Sequence, residues 1–288
     1  MKLGVTFPQT EIGADPAVLR EYVQTVEGLG FDYLTVYDHV LGANPDRPGG
    51  WSGPYTYLTQ FHEPLVLFGW MAALTQHLEF VTGVIILPQR QTALVAKQAA
   101  QISVLSGGRF RLGVGVGWND VEFVGLVQDF HTRGKRVEEQ VRLLRDLWTK
   151  PLVSFEGDFD KIPDAGINPL PAQPIPIWFG GNADVALRRS ARLGDGWLPN
   201  SMTLPELRFH LSTLRNYLAE EGRDPEGFGV DVRLSVNRTP ESEWASEAAQ
   251  LAEMGVTHVA INTMGAGYNT LQDHLTAIKN FKTVLSNG

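Results

Sequence analysis

Apolar runs of strand length alternate with segments of helical period along the chain. LGVTF at 3–7 reads as a strand, and the segment after it puts Leu19, Tyr22, Val23, Val26 and Leu29 on one helical face before a second strand, YLTVY at 33–37. A helix is expected after Pro64, then a strand at 80–86 (FVTGVII), a helix over 92–105 and a fourth strand at 110–116 (FRLGVGV). Val137, Val141, Leu144 and Trp148 share one face of a helix over 135–148. IPIWFG at 175–180 makes a fifth strand, and a helix leads from it to a short sixth in GDGWLP. Helices over 205–220, 241–254 and 271–285 alternate with the last two strands, VDVRLSVN at 230–237 and THVAINT at 257–263.

Eight strands alternating with helices predict a parallel α/β fold, and the count of eight favours a closed (β/α)₈ TIM barrel over a doubly wound sheet. Strands such as VTGVII are almost continuously apolar, as they must be when both faces are buried. Two segments break the alternation. Residues 42–63, rich in Gly, Pro and aromatics, form an insertion after strand 2 that reads as a lid loop. Residues 151–174, with five prolines and a hairpin-like VSFEGDFDKI, form an insertion before strand 5. The chain is read as one domain over 1–288.

In a barrel the chemistry collects where strands end. Those ends carry Asp38-His39, Gln89, Gly117-Trp118-Asn119, Gly180-Gly181-Asn182 and Asn262-Thr263, an aromatic and amide-rich rim suited to a flat, partly apolar ligand. Gly180, Gly181 and Asn182 sit where a strand enters a helix. Either they bring an anion close to unpaired helix amides, or they make a tight turn with Asn182 as cap. Gly113, Gly115 and Gly117 share one face of a strand, which leaves room for something broad to lie there. The GVGVGW spacing and its position fourth in strand order make a poor dinucleotide fingerprint. His39 is the candidate for proton transfer, against a structural histidine bonded to Asp38. Glu122 is a candidate acid, against a first-turn residue favoured by the helix dipole. Trp51, Tyr55 and Trp118 are candidate walls of a substrate pocket, against ordinary packing.

Composition narrows the choice. With no cysteine, thiolate catalysis, disulfides and cysteine metal sites are excluded. Seven scattered histidines without HxH or HExxH give no metal site, and no GxSxG elbow occurs. A net charge of -8 without a basic stripe argues against nucleic acid or an anionic membrane as partner. The longest apolar stretch is too short to span a bilayer and the N-terminus reads as a strand, so the expectation is a cytoplasmic protein acting on a small molecule.

Four stretches, LGFDYLTVYDHV, TGVIILPQRQTALVAKQAAQISVLSGGRFRLGVGVGW, RGKRVEEQVRLLRDLW and WFGGNADVALRRSARLGDGW, resemble the luciferase-like monooxygenase superfamily, in its deazaflavin (F420)-dependent oxidoreductase branch. The resemblance implies a (β/α)₈ barrel with a tricyclic cofactor in its C-terminal mouth. It places the cofactor phosphate on Gly180, Gly181 and Asn182, a non-proline cis peptide at Gly83-Val84 behind the ring, Gly117 at the ring edge, and Asp38 and His39 near the reactive carbon. Asp184 would repel the phosphate unless Arg188 offsets it as an i,i+4 pair. Trp118 stands where the sugar-phosphate dehydrogenases of the branch carry an acid. The implied reaction is hydride transfer between F420 and a small organic substrate, with His39 moving the proton; the alternative is an FMN-dependent monooxygenase that uses oxygen. A patch of Arg90, Lys97 and Arg109 would be needed to receive an acidic F420 tail. Relatives commonly pair as homodimers.

Overall fold

The computed structural model describes residues 1–286. In chain order it contains β1 (Lys2–Thr6), α1 (Pro16–Gly28), β2 (Tyr33–Val36), α2 (Pro64–Ala72), β3 (Glu79–Thr82), β4 (Ile85–Ile86), α3 (Thr92–Ser106) and β5 (Phe110–Gly115). There follow α4 (Asp120–Gly125), α5 (Arg133–Thr149), β6 (Val153–Glu156), β7 (Lys161–Ala165), β8 (Ile177–Gly180) and α6 (Asp184–Leu193). The last third adds β9 (Gly196–Leu198), α7 (Leu204–Glu220), β10 (Gly229–Ser235), α8 (Trp244–Glu253), β11 (His258–Asn262) and α9 (Leu271–Ser286).

Parallel pairing runs β1, β2, β3/β4, β5, β8, β9, β10, β11 and returns to β1, which closes an eight-position barrel. β3 and β4 share one position, separated by the Gly83-Val84 peptide, which is cis as the resemblance implied. The expected single strand at 80–86 is therefore two short ones. β6 and β7 form an antiparallel hairpin outside the barrel, inside the insertion before β8.

The helices form where the apolar period predicts. Asp15 caps α1 by accepting from the Ala17 N–H at 2.8 Å, Pro16 supplies the fixed φ of the first turn, and Leu19, Tyr22, Val23 and Val26 face the barrel. Each such side chain, fully buried, contributes roughly 1.5–3 kcal/mol. The same logic buries Val137, Val141, Leu144 and Leu147 of α5.

Among the described residues, the N-terminal end of the barrel strands is plugged by side chains. Arg111 of β5 lies inside it, 4.1 Å above the Trp178 ring and 5.0 Å from the Tyr33 ring, with Glu79 at 3.2 Å and Asp231 at 3.6 Å. Tyr33 donates its hydroxyl to Asp231 at 2.7 Å. Room for these large side chains comes from glycine: a Cβ on Gly4 would stand 2.3 Å from the Tyr33 ring, and one on Gly229 would stand 2.0 Å from Trp178.

Candidate active site

A cavity of about 410 Å³ opens at the C-terminal end of the barrel strands. Asp38 and His39 enter it from the end of β2, Val84 from between β3 and β4, Gly117 and Trp118 from the end of β5, and Gly180 and Gly181 from the end of β8.

His39 and Glu122 meet at its edge. His39 Nδ1 lies 3.1 Å from Glu122 Oε1, which also accepts the backbone N–H of Val40 at 2.9 Å and of Leu41 at 3.3 Å. Gln89 donates to the other carboxylate oxygen at 3.2 Å. Burial by itself raises a carboxyl pKa; here the bonds from His39, Gln89 and the Leu41 amide outweigh it and hold Glu122 below its ordinary value. An ionised carboxylate only accepts, so Nδ1 carries the proton and Nε2 remains as the imidazole nitrogen without a partner among the described residues. The loop after β2 and helix α4 are thereby fixed to each other, with Asn119 capping α4 through its bond to the Val121 N–H and donating to the Leu41 carbonyl.

Asp38 is otherwise engaged. Its Oδ1 receives Arg90 at 2.8 Å and its Oδ2 receives the Ile86 N–H at 3.1 Å, while Arg90 also grips Glu63 at 2.9 Å. Burial pushes the Asp38 carboxyl up, and Arg90 offsets only part of that. His39 bonds to Glu122, not to Asp38. Asp38 acts as the clamp that ties the end of β2 to β4 and to the start of α2.

The glycine row that ends β5 also makes room for the neighbouring strands. A Cβ on Gly113 would stand 1.9 Å from the Thr82 carbonyl oxygen, on Gly115 2.6 Å from Val84, and on Gly117 2.7 Å from Ile86. The room they leave is taken in part by the neighbouring chain at β3 and β4, while Gly115 and Gly117 also line the cavity. Gly180 serves the same side chain, its Cβ position lying 2.8 Å from Val84. Val84 is thus pressed forward over two glycines as the cavity's back wall.

Gly181 differs. Its φ of +112° is a glycine conformation, and a Cβ there would meet nothing nearer than Ala186 at 3.4 Å. The cap of α6 is Ala183, with no side-chain hydrogen bond, so the capping role considered for Asn182 is not the one it plays. Asn182 instead exchanges hydrogen bonds with Asn200, accepting its N–H at 2.8 Å and donating to its carbonyl at 3.4 Å. The first amides of α6 are therefore free of any side-chain cap. Asp184, in that turn, is bound by the Tyr217 hydroxyl and by Arg188 at 3.2 Å. The hydrogen bond from Tyr217, then the one from Arg188, holds its carboxyl below the ordinary value.

The aromatic residues cluster on the opposite side. The His39 ring centroid lies 4.8 Å from Tyr55, 4.8 Å from Phe61 and 5.6 Å from Trp118. Trp51 stands behind, stacked on Trp118 at 5.9 Å and donating its indole N–H to the Tyr55 carbonyl at 2.7 Å. Tyr55 and Trp118 line the cavity; Trp51 supports them.

One expectation needs correction, and three lining residues were missed. Arg90, Lys97 and Arg109 form no patch at the mouth: Arg90 is consumed by Asp38 and Glu63, Lys97 binds the Asn168 carbonyl, and Arg109 precedes β5 at the opposite barrel end, donating to the Leu78 carbonyl at 2.6 Å. The cation that does line the cavity, Arg233, was not singled out. It lies on β10 two residues from Asp231, so it points into the barrel with it. Its Nη2 donates to the Pro199 carbonyl at 2.6 Å. The signal was present in VDVRLSVN, where Asp231, Arg233 and Ser235 alternate with apolar residues in a strand that had to close a barrel. Asn200 and Ser201, just past β9, also line the cavity and were not singled out.

Among the described residues no group of three or more His, Asp or Glu is placed to hold a metal ion, and no helix is long and apolar enough to cross a membrane.

Comparison with known proteins agrees with this architecture. A protein of Mycobacterium tuberculosis without an assigned function is 37% identical over 98% of both chains. An F420-dependent glucose-6-phosphate dehydrogenase of Amycolatopsis mediterranei is 32% identical over 70% of this chain and 58% of its own length. The structure of an F420-dependent secondary alcohol dehydrogenase with an F420-acetone adduct superposes with a TM-score of 0.80, covering 99% of this chain and 98% of that one at 17% identity. The family model for luciferase-like monooxygenases matches residues 1–280, and the chain belongs to that family.

Proposed function

We propose that the protein is an F420-dependent oxidoreductase moving a hydride between the deazaflavin and a small organic substrate. The observation that carries the reading is the His39–Glu122 pair at the rim of a cavity whose far side is a cap-free helix start. The family's F420-dependent relatives support the choice of cofactor.

The residues present fit such a cofactor. Gly181 and the first amides of α6 would hold its phosphate, since no Cβ bars the approach and no side chain competes for those donors. Val84 and Gly117 would flank its ring, and Asn200 and Ser201 would meet its polar chain. When bound, the cofactor supplies a two-electron acceptor or donor. The chain supplies the proton at His39 Nε2. Glu122 fixes the tautomer through Nδ1 and stabilises the imidazolium when Nε2 gains a proton, so it is a positioning residue. The 42–63 segment roofs the substrate through Tyr55. The protein works in the cytoplasm, as a homodimer, on a small molecule.

Parallel titrations of the apoprotein with F420 and FMN, read by cofactor fluorescence, test this. F420 binding well ahead of FMN, and lost in Gly181→Glu, is the expected result. Preference for FMN, followed by oxygen consumption, would move the protein to the monooxygenases, and binding of neither would remove the reading.

A further inference from the structure

Resting on that reading, we infer that Arg233 receives the negative charge that hydride transfer brings into the cavity, so that the protein holds reduced F420 more tightly than oxidised F420.

Arg233 forms part of the cavity floor. Asp231, Arg233 and Ser235 alternate inward along β10, and Asp231 belongs to the plug, beside Tyr33 and Arg111. Arg233 is the next inward residue and lines the cavity, partly buried. Its register partner on β11 is Ala260, a small residue that leaves space to the longer side chain. β10 and the β3/β4 position stand opposite each other, four steps apart through β9, β8 and β5 and four through β11, β1 and β2. Even so, Arg233 Nη1 comes within 3.5 Å of the Gly83 carbonyl, just past β3, while Nη2 donates to the Pro199 carbonyl at 2.6 Å. The side chain therefore reaches across the barrel, with its guanidinium 5.6 Å from the Tyr37 ring centroid.

This cation has no counter-charge of its own. Among the described residues no carboxylate makes an ion pair with it: Asp38 is taken by Arg90, Glu122 by His39, and Asp231 by Arg111 and the Tyr33 hydroxyl. Two backbone carbonyls are its acceptors, although a guanidinium carries five N–H donors. A charge drawn out of water with so little compensation is costly, and an anion beside it relieves that cost.

The chemistry supplies the anion. In the oxidative direction a substrate C–H bond breaks and both its electrons leave with the hydrogen for the bound deazaflavin, while a substrate proton goes to His39 Nε2. The substrate loses two electrons, the deazaflavin accepts them, and the ring gains one negative charge. Arg233 lies against the Gly83-Val84 peptide, which backs the place proposed for the ring. A cation fixed there beforehand stabilises the arriving charge without reorganisation.

Calorimetric titration of the protein with F420, and with F420 reduced beforehand by borohydride, tests the inference without substrate or turnover. The reduced form is expected to bind about tenfold or more tighter, which raises the bound cofactor's reduction potential by about 30 mV for each tenfold. Arg233→Gln and Arg233→Met, two ways of removing the charge, should bring the two affinities to within about twofold by weakening the reduced form, and Arg233→Lys should keep most of the difference. Equal affinities in the wild type overturn the inference. So does a ratio that both charge-free variants leave unchanged, including an equal loss for the two forms, which would make Arg233 a brace of the barrel wall. Binding of neither form by the wild type removes the cofactor reading and this inference with it, whereas equal binding of both removes this inference alone.

Discussion

His39 Nδ1 donates to Glu122 Oε1 across 3.1 Å, although 83 residues separate the two in the chain. The contact joins the end of β2 to α4 and leaves one nitrogen of the imidazole for chemistry. It makes Glu122 a group that acts through His39, and this role can be separated from a merely structural one.

His39→Ala is expected to lower kcat by roughly 10²–10⁴, the usual worth of a positioned acid or base. Glu122→Gln keeps an acceptor for the Val40 and Leu41 amides, so the loop stays in place, but it removes the charge that favours the imidazolium. Its kcat should fall about tenfold or more while KM and F420 affinity change less than about twofold. An unchanged kcat would make Glu122 only a loop anchor.

Asp38 and Arg90 test the opposite case, a buried pair with no part in proton transfer. Arg90→Met leaves the Asp38 carboxylate buried and unpaired, which costs about 3–5 kcal/mol, and Asp38→Asn added to it should recover a large share. Burial already raises the Asp38 carboxyl, and loss of Arg90 raises it further. A carboxyl raised on folding contributes stability at low pH that is lost as pH rises through its folded pKa. Urea titrations of Arg90→Met should therefore show a smaller deficit at pH 5 than at pH 8.

The barrel was legible because its evidence is repetitive: eight apolar runs, each followed by a helical period or a turn, tolerate an error of two residues at any boundary. The site was legible where one residue type has few uses, as with His39, and where a glycine precedes a helix, as with Gly181. It was less legible where a glycine also answers to a neighbour far away in sequence. Nothing local to Gly113 or Gly115 tells that Thr82 and Val84 will press on them from the next strand. Arg233 was overlooked although the alternation in VDVRLSVN carried the signal, because that signal has to be combined with barrel closure to place a strand cation in the cavity wall.

That difference between glycines is itself testable. Gly113→Ala would drive a methyl to 1.9 Å from the Thr82 carbonyl, so the barrel must open there, and the variant should be strongly destabilised or fail to fold. Gly181→Ala has room, but its φ of +112° is unfavourable for any side chain, at roughly 1–3 kcal/mol. It should fold, with a modest fall in melting temperature and a larger fall in F420 affinity. Equal losses of stability in the two variants would show that Gly181, too, serves only the fold.

The closed end of the barrel is expected to contribute to the loss of stability in acid. His258 lies beside Arg111, with its ring 4.9 Å from Trp178 and 5.5 Å from Tyr33, and its Nδ1 2.8 Å from the Thr257 hydroxyl. Burial, then the charges of Arg111, Lys2 and the N-terminus, lower its pKa to about 3. The unfolded chain takes up this proton near pH 6.5, the folded one only near pH 3, so between those values the unfolded state holds more protons and stability falls as pH falls. The slope is about 1.4 kcal/mol per pH unit for one such group. His274, lowered by burial despite Glu11 and Asp273 nearby, adds to it in the same direction. His258→Phe keeps a ring between Trp178 and Tyr33 and removes the titration, so denaturant melts between pH 6.5 and 5, above the range of ordinary carboxylates, should lose roughly one proton's worth of slope. A slope unchanged in that variant would mean that the acid sensitivity arises elsewhere in the barrel.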